Sequence, residues 1–336
     1  MLSSYAFSPS IGGIETVSAI LGTEFAGMGH SVKLITETAG PDTVEWPFEV
    51  IRQPSLKRIL ELVRWSDVLL QNNISLRSLW AAPLLRRPAV IAHQTWIASV
   101  EGGLRWRDRL KRALLPKCEN IAISSAIGAT IRTPHVVIGN PYRDDLFQQG
   151  ADAPRERDLI FAGRLVSDKG VDLLFRALNA LGRKGLKPDL TVVGGGPEEG
   201  NLRRLAGELG IAEQVDFRGP KNAAELAKLF NAHRILVVPS RWAEPFGVVA
   251  LEGAASGCVV VGSEQGGLKE AIGPCGRTFE NGNMEALAAA LAELLGSAGL
   301  RNQIRSHAEA HLQRFKGRQV AGEYMGVIER AIAREK

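Results

Sequence analysis

Cysteine is scarce in this chain: Cys118, Cys258 and Cys275 are the only three in 336 residues. They are scattered and lack Cys-x-x-Cys spacing, so neither a disulfide framework nor a thiolate zinc site is expected. Long apolar runs are missing too. None reaches the roughly 18 residues that a membrane span needs, and the first residues lack the basic-then-apolar pattern of a secretory leader. The expectation is a soluble protein of the reducing cytoplasm. Histidine occurs only at positions 30, 93, 135, 233, 307 and 311, with no His-Glu-x-x-His, and no metal site is expected from it.

What is present is an ordinary globular composition, 45% hydrophobic and 23% charged, in a length whose prior is two domains. The net charge of +5 is unevenly spread. Between Arg52 and Lys117 stand 13 Lys and Arg against four acids, Glu61, Asp67, Glu101 and Asp108. No nucleic-acid module or interleaved aromatic motif accompanies this stretch, so nucleic acid is not expected as a partner. An anionic membrane surface or an anionic acceptor fits it better. Its end, Leu104 to Lys117, puts Trp106, Leu110, Ala113 and Leu114 on one helical face and Arg105, Arg109 and Arg112 on another. That is the pattern of a short basic amphipathic helix at a lipid interface, or of a helix whose apolar stripe packs on the neighbouring sheet.

Short apolar runs alternate with longer segments of helical period, as in parallel α/β sheets. Strands are expected at 2–7, 32–36, 48–52, 68–71, 89–92, 120–123 and 135–138, with a clear helix over 13–28. Gly139-Asn140-Pro141 breaks the pattern, and the polar, Pro-containing stretch 148–157 suits a linker. The alternation restarts with strands at 159–162, 190–193, 215–217, 235–238 and 259–261. The reading is an α/β protein of two doubly wound, Rossmann-like domains, 1–147 and 148–319, with a ligand cleft at the carboxyl ends of the strands.

The most informative stretch runs V-V-P-S-R-W-A-E-P-F-G-V-V-A-L-E from Val237 to Glu252. A strand hands over to a helix there, Pro245 and Gly247 fix the turn, and the first helical N–H groups from about Gly247 to Val249 are left without partners. An anion meets those donors and the positive end of the helix dipole. Glu244 and Glu252 flank it, so the site suits a phosphate with a carboxylate on each side for hydroxyl groups, the combination that a nucleotide-sugar carries. In isolation, the same spacing also fits an ordinary first-turn acid and a solvated helix residue. Gly163-Arg164-x4-Lys169-Gly170 forms a second constellation, two cations between a strand end and a helix start, able to neutralise a diphosphate. Gly12-Gly13 before the first long helix lets backbone approach a ligand, or simply makes a tight turn. Gly194-Gly195-Gly196-Pro197 lacks the Lys-Ser/Thr of a phosphate loop and reads as a sharp turn.

These motifs together resemble the retaining nucleotide-sugar glycosyltransferases of family 4, which have the GT-B architecture. The resemblance is densest through F-A-G-R-L-V-S-D-K-G-V (Phe161 to Val171), V-V-G-G-G-P (Val192 to Pro197), V-D-F-R-G (Val215 to Gly219), E-P-F-G-V-V-A-L-E and G-G-L-K-E (Gly266 to Glu270). It implies a catalytic set of His93, Arg164, Lys169 and Glu244. Gly12, Gly13, Gly163, Phe246, Gly247, Val248, Val249 and Glu252 would bind the donor, with no metal and no cofactor. It also implies a last helix, 320–336, that crosses back to the N-terminal domain, and a saccharide or lipid-linked acceptor at the cytoplasmic membrane face, in cell-surface polysaccharide or glycolipid synthesis. The Asp-x-Asp that holds a cation in the other large transferase architecture is absent. Two departures bear on specificity: Lys269 stands where Pro is usual, and Trp242 adds a ring before Glu244. Relatives usually carry residues before the equivalent of Leu2, so the first strand is expected to be trimmed or the start drawn late. A sugar-nucleotide epimerase and a non-catalytic nucleotide-sugar-binding protein remain alternatives; a phosphorylase would need a pyridoxal-bearing lysine, for which nothing argues.

Overall fold

The computed structural model describes residues 1–10, 12–41, 44–97, 106–150 and 155–335, the side chains of Arg107 and Glu335 excepted. Two parallel sheets organise them. The first contains β1 (Leu2–Ser4), β2 (Lys33–Thr36), β3 (Glu49–Arg52), β4 (Leu69–Asn72), β5 (Ala89–His93), β6 (Glu119–Ala122) and β7 (Val136–Val137), in the order β3-β2-β1-β4-β5-β6-β7. The second contains β8 (Arg157–Ala162), β9 (Leu190–Val193), β10 (Val215–Gly219), β11 (His233–Val238), β12 (Val259–Ser263) and β13 (Gly276–Phe279), in the order β10-β9-β8-β11-β12-β13. Each order reverses once, between β1 and β4 and between β8 and β11, and such reversals are where open α/β sheets leave room for ligands.

Strands covered on both faces read as continuous apolar runs, and β12, Val-Val-Val-Gly-Ser, is buried throughout. β1 stops at Ser4, three residues before the expected end. Its apparent continuation, Phe7, is buried but sits in a loop, its N–H donating to Thr38 Oγ1 at 3.0 Å. β13 was not anticipated, because Gly-Arg-Thr-Phe at the sheet edge buries a single apolar side chain.

The chain divides into two compact units, Met1–Tyr142 with Phe315–Lys336, and Arg143–Arg314. The divisions fall at 142/143 and 314/315 rather than at 147/148 and 319/320. Tyr142 forms a parallel bridge with Lys316 and its N–H donates to Phe315 O at 3.2 Å, which keeps both ends in the first unit. That unit's core joins Leu2, Leu34, Leu70, Val90 and Ile121 to Phe25 of helix Gly13–Gly27 and to Tyr324 and Val327 of helix Gly317–Glu335. The second unit packs Leu159, Leu190, Ile235 and Val259 against Leu174 and Leu178 of helix Val171–Gly182 and Leu291 of helix Met284–Gly296.

Candidate functional site

Two turns of the second unit leave neighbouring strands at its sheet reversal. After β8 the chain passes Gly163 and Arg164 into a turn of 3-10 helix, Ser167–Lys169, and then helix Val171–Gly182. After β11 it passes Pro239 to Gly247 into helix Val248–Ala255. The Asp168 carbonyl accepts from the N–H groups of Arg241, at 2.8 Å, and Trp242, at 3.2 Å. Gly170 has φ +67°, and a Cβ there would collide with the Pro239 carbonyl oxygen, so this approach of the two turns needs glycine. Asn281 ties the second turn from beyond β13: its amide donates to Ser240 O at 3.1 Å and its oxygen accepts from Gln265 N–H at 2.9 Å.

So held, Lys169 Nζ lies 2.5 Å from Glu244 Oε1, and Ser240 Oγ donates to the same oxygen at 2.6 Å. The two charged side chains are 23% and 12% exposed, less screened than a surface pair. Glu244 Oε2 has no hydrogen-bond partner among the described residues. An ammonium has three donors, so Lys169 can keep Glu244 and still present N–H groups to an anion. Gly247, at φ +102°, caps the following helix, and a Cβ on it would stand 2.5 Å from Leu268 Cδ1. The first-turn amides of half-buried Val248 and Val249 precede any intrahelical acceptor. Phe246 is interior, at 2% exposure. Gly163 donates its N–H to Val193 O at 3.0 Å. Arg164 is exposed and has no ion-pair partner among the described residues.

Glu252 is only partly accessible, and burial pushes its carboxyl up to about 7 against the opposing charge of Arg143. Arg143 is itself held by Asp145 through two contacts of 2.7 Å. The three thiols are poor nucleophile candidates, since burial pushes Cys118, Cys258 and Cys275 up to about 11, 12 and 11. Among the described residues no three His, Cys, Asp or Glu side chains gather as metal ligands.

In the first unit, Gly12 is the extended residue before helix Gly13–Gly27, with the Glu15 carboxylate folded against it; Ser10 Oγ donates to Glu15 at 2.9 Å. Space around Gly13 is open. His93 ends β5 with no exposed surface, its Nε2 3.0 Å from Asn120 Oδ1. The Asn120 amide donates to Leu115 O and Cys118 O, which fixes Oδ1 as the acceptor and makes His93 the Nε2–H tautomer. The lone pair on Nδ1 is buried without a partner among the described residues. Burial lowers the His93 pKa, opposed by the Asn120 hydrogen bond, so the ring is neutral at pH 7. The next residue, Gln94, points elsewhere and accepts from Asn140 Nδ2 at 2.7 Å.

Ser240, Asn281 and the Gln94–Asn140 pair were not singled out from the sequence. Ser240 carried a signal, a hydroxyl at a strand end four residues before Glu244; Asn281 carried none.

The profile of the family described as glycosyl transferases group 1 matches residues 143–311. A D-inositol 3-phosphate glycosyltransferase of Mycobacterium marinum is 34% identical over 189 residues, 53% of this chain and 39% of that protein. One from Stackebrandtia nassauensis is 38% identical over 188 residues, 52% and 42% of the two chains. The matched part thus spans about two-fifths of the length of these relatives. Among solved structures, sucrose-phosphate synthase of Thermosynechococcus elongatus superposes with a TM-score of 0.82 at 22% identity, over 99% and 98% of the chains. Anabaena HepE in complex with UDP and glucose gives 0.81 at 19%, over 98% and 99%. These likenesses show the GT-B fold, two Rossmann-like α/β units. With the matched profile covering the whole strand-end site of the second unit, the chain belongs to the group 1 glycosyltransferases.

Proposed function

We propose that this protein transfers a hexosyl group from a nucleotide-diphosphate sugar to a saccharide or lipid-linked acceptor, with retention of configuration and without a metal, in cell-surface polysaccharide or glycolipid synthesis. The observation that carries the reading is the contact of Lys169 with Glu244 beside the open start of helix Val248–Ala255. A cation, a carboxylate with one open oxygen and unpartnered amides together suit a diphosphate that bears a sugar. The description of HepE with UDP and glucose supports that donor class.

In the proposed reaction the bond from the sugar's anomeric carbon to the diphosphate breaks, and its electron pair goes to the phosphate oxygen. Arg164, Lys169 and the amides of Val248 and Val249 stabilise that charge without reorganising. The acceptor oxygen bonds to the same face of the carbon, and its proton passes to the departing phosphate oxygen. Glu244 Oε2 accepts from a sugar hydroxyl, and Glu252 from the ribose. Gly163 and the Phe246–Gly247 backbone line the donor.

The test is incubation with UDP-, GDP- and ADP-sugars and an acceptor panel in excess EDTA. The expected result is nucleoside diphosphate release matched by a glycoside of the donor's anomeric configuration. Release without a glycoside, an epimerised donor, or loss of activity reversed by Mg or Mn would count against it.

Contact with anionic lipid is also proposed. Leu104 and Arg105 lie outside the described residues. Over helix Trp106–Leu114, Trp106 and Leu110 are 69% and 44% exposed, which supports the lipid-facing reading, while Leu114 is half-buried and lines a cavity with Leu79, Ala82 and Ala89 of β5. Arg109 and Arg112 lie on the same short helix. Co-sedimentation with anionic vesicles is expected, and to weaken in Arg109→Glu/Arg112→Glu; binding equal on neutral vesicles would speak against it. Among the described residues no helix is long and apolar enough to cross a membrane.

A further inference from the structure

We propose that Ser240 is the positioning residue that orients Glu244 toward the donor sugar, with Asn281 holding Ser240 in place. This rests on the donor reading above and deepens it, because it names what fixes the sugar-facing carboxylate.

Glu244 Oε1 has two donors, Lys169 and Ser240. They are not equivalent. The charge of Lys169 is also wanted by the diphosphate, so its hold on Glu244 is shared once the donor binds. Ser240 is buried, and its hydroxyl donates to Glu244 Oε1 at 2.6 Å. A carboxylate anchored through Oε1 turns Oε2 to the remaining side, where a sugar hydroxyl can donate to it. Hydrogen bonds to a charged group are the strong kind.

The backbone around Ser240 is fixed on three sides. Pro239 lies against Gly170, the Arg241 N–H is bound by Asp168 O, and the Ser240 carbonyl is bound by the Asn281 amide. Asn281 Oδ1 is anchored in turn by Gln265 N–H. The hydroxyl is therefore aimed by elements from both sides of the turn, an arrangement that preorganises the carboxylate before the donor arrives.

The test compares Kd by calorimetry for UDP-glucose against UDP, and GDP-mannose against GDP, in wild type, Ser240→Ala, Ser240→Thr and Asn281→Ala. In Ser240→Ala the affinity advantage of nucleotide-sugar over bare nucleotide should fall by about three- to tenfold. Affinity for the bare nucleotide should stay within about twofold. Ser240→Thr, which keeps the hydroxyl, should recover part of the advantage, and Asn281→Ala should lose less of it than Ser240→Ala. Equal weakening toward nucleotide and nucleotide-sugar, with a lowered melting temperature, would show a merely structural serine and overturn the assignment. So would an unmoved ratio, or a wild type in which the sugar contributes nothing. A wild type that binds no nucleotide or nucleotide-sugar would instead defeat the donor reading itself.

Discussion

The two sheets reverse at corresponding points but treat their strand-end polar groups differently. In the second unit, Lys169, Glu244, Ser240 and Asn281 hold one another, and the turns that carry them are joined by backbone hydrogen bonds. Asp168 Oδ1 and Ser263 Oγ are exceptions. In the first unit, Asn72 Oδ1, His93 Nδ1, Gln94 Nε2 and Asn140 Oδ1, at or near the ends of β4, β5 and β7, are all buried without a partner among the described residues. Gln94 and Asn140 satisfy each other once and leave one donor and one acceptor over. That remainder is the same if both amides are flipped. Buried polar groups left unmet cost roughly 1–3 kcal/mol each, so native proteins meet them with water or ligand. The second unit is built to present charge in a fixed geometry; the first keeps hydrogen-bonding capacity that its described residues do not use.

The largest effect is expected where the fixed charge is removed. Lys169→Ala and Arg164→Ala should each lower turnover by on the order of a hundredfold or more, as for other lost electrostatic stabilisers, with the melting temperature little changed for exposed Arg164. Lys169→Ala also strips Glu244 of its cation, so donor affinity should fall with turnover. Steady-state kinetics and a thermal melt on each variant check this. Normal turnover in Arg164→Ala would remove it from the reaction.

A pair of glycines makes the contrast between units structural. Gly170→Ala puts a methyl group onto the Pro239 carbonyl and forces an unfavourable positive φ, so the Lys169 turn must part from the Glu244 turn. Turnover should drop between about ten- and hundredfold, because small misplacements of a positioned group are costly. Gly13→Ala meets open space at a helix start and should leave folding intact. An active Gly170→Ala would mean that the two turns need not touch.

The doubly wound pattern was legible because strands buried on both faces are written as apolar runs, as in β11 and β12. It failed at β13, an edge strand with little to bury, and overran β1, where an apolar residue serves the core from a loop. The charged site residues were legible from their spacing about strand ends. Their supports were not: Asn281 follows the strand that was missed, and its bonds to the Ser240 turn are tertiary. His93 shows a further limit. Its place at a strand end could be read, but neighbours on a strand face opposite ways, and the ring turned out to lie inward against Asn120 while Gln94 meets Asn140.

The smallest expected effect is a pH dependence confined to the second unit. Burial raises the Glu252 carboxyl from its ordinary 4.5 to about 7. Between those values the unfolded chain has lost the proton that the folded protein keeps, so this group's contribution to stability falls as pH rises from about 4.5 to about 7 and is constant above. Donor binding should run the other way, because ribose hydroxyls donate best to the ionised carboxylate. If only that form binds, the apparent Kd for a nucleotide-sugar scales inversely with its population, and affinity should strengthen by up to about tenfold from pH 6 to pH 8. A nucleotide-sugar is the right probe, since its diphosphate diester does not titrate in this window whereas a bare nucleoside diphosphate does. Calorimetry in buffers of different ionisation enthalpy should also show proton release on binding near pH 6. Glu252→Gln should bind more weakly at pH 8 and lose the slope. A slope that survives in Glu252→Gln would assign the titration to another group and take Glu252 away from the ribose.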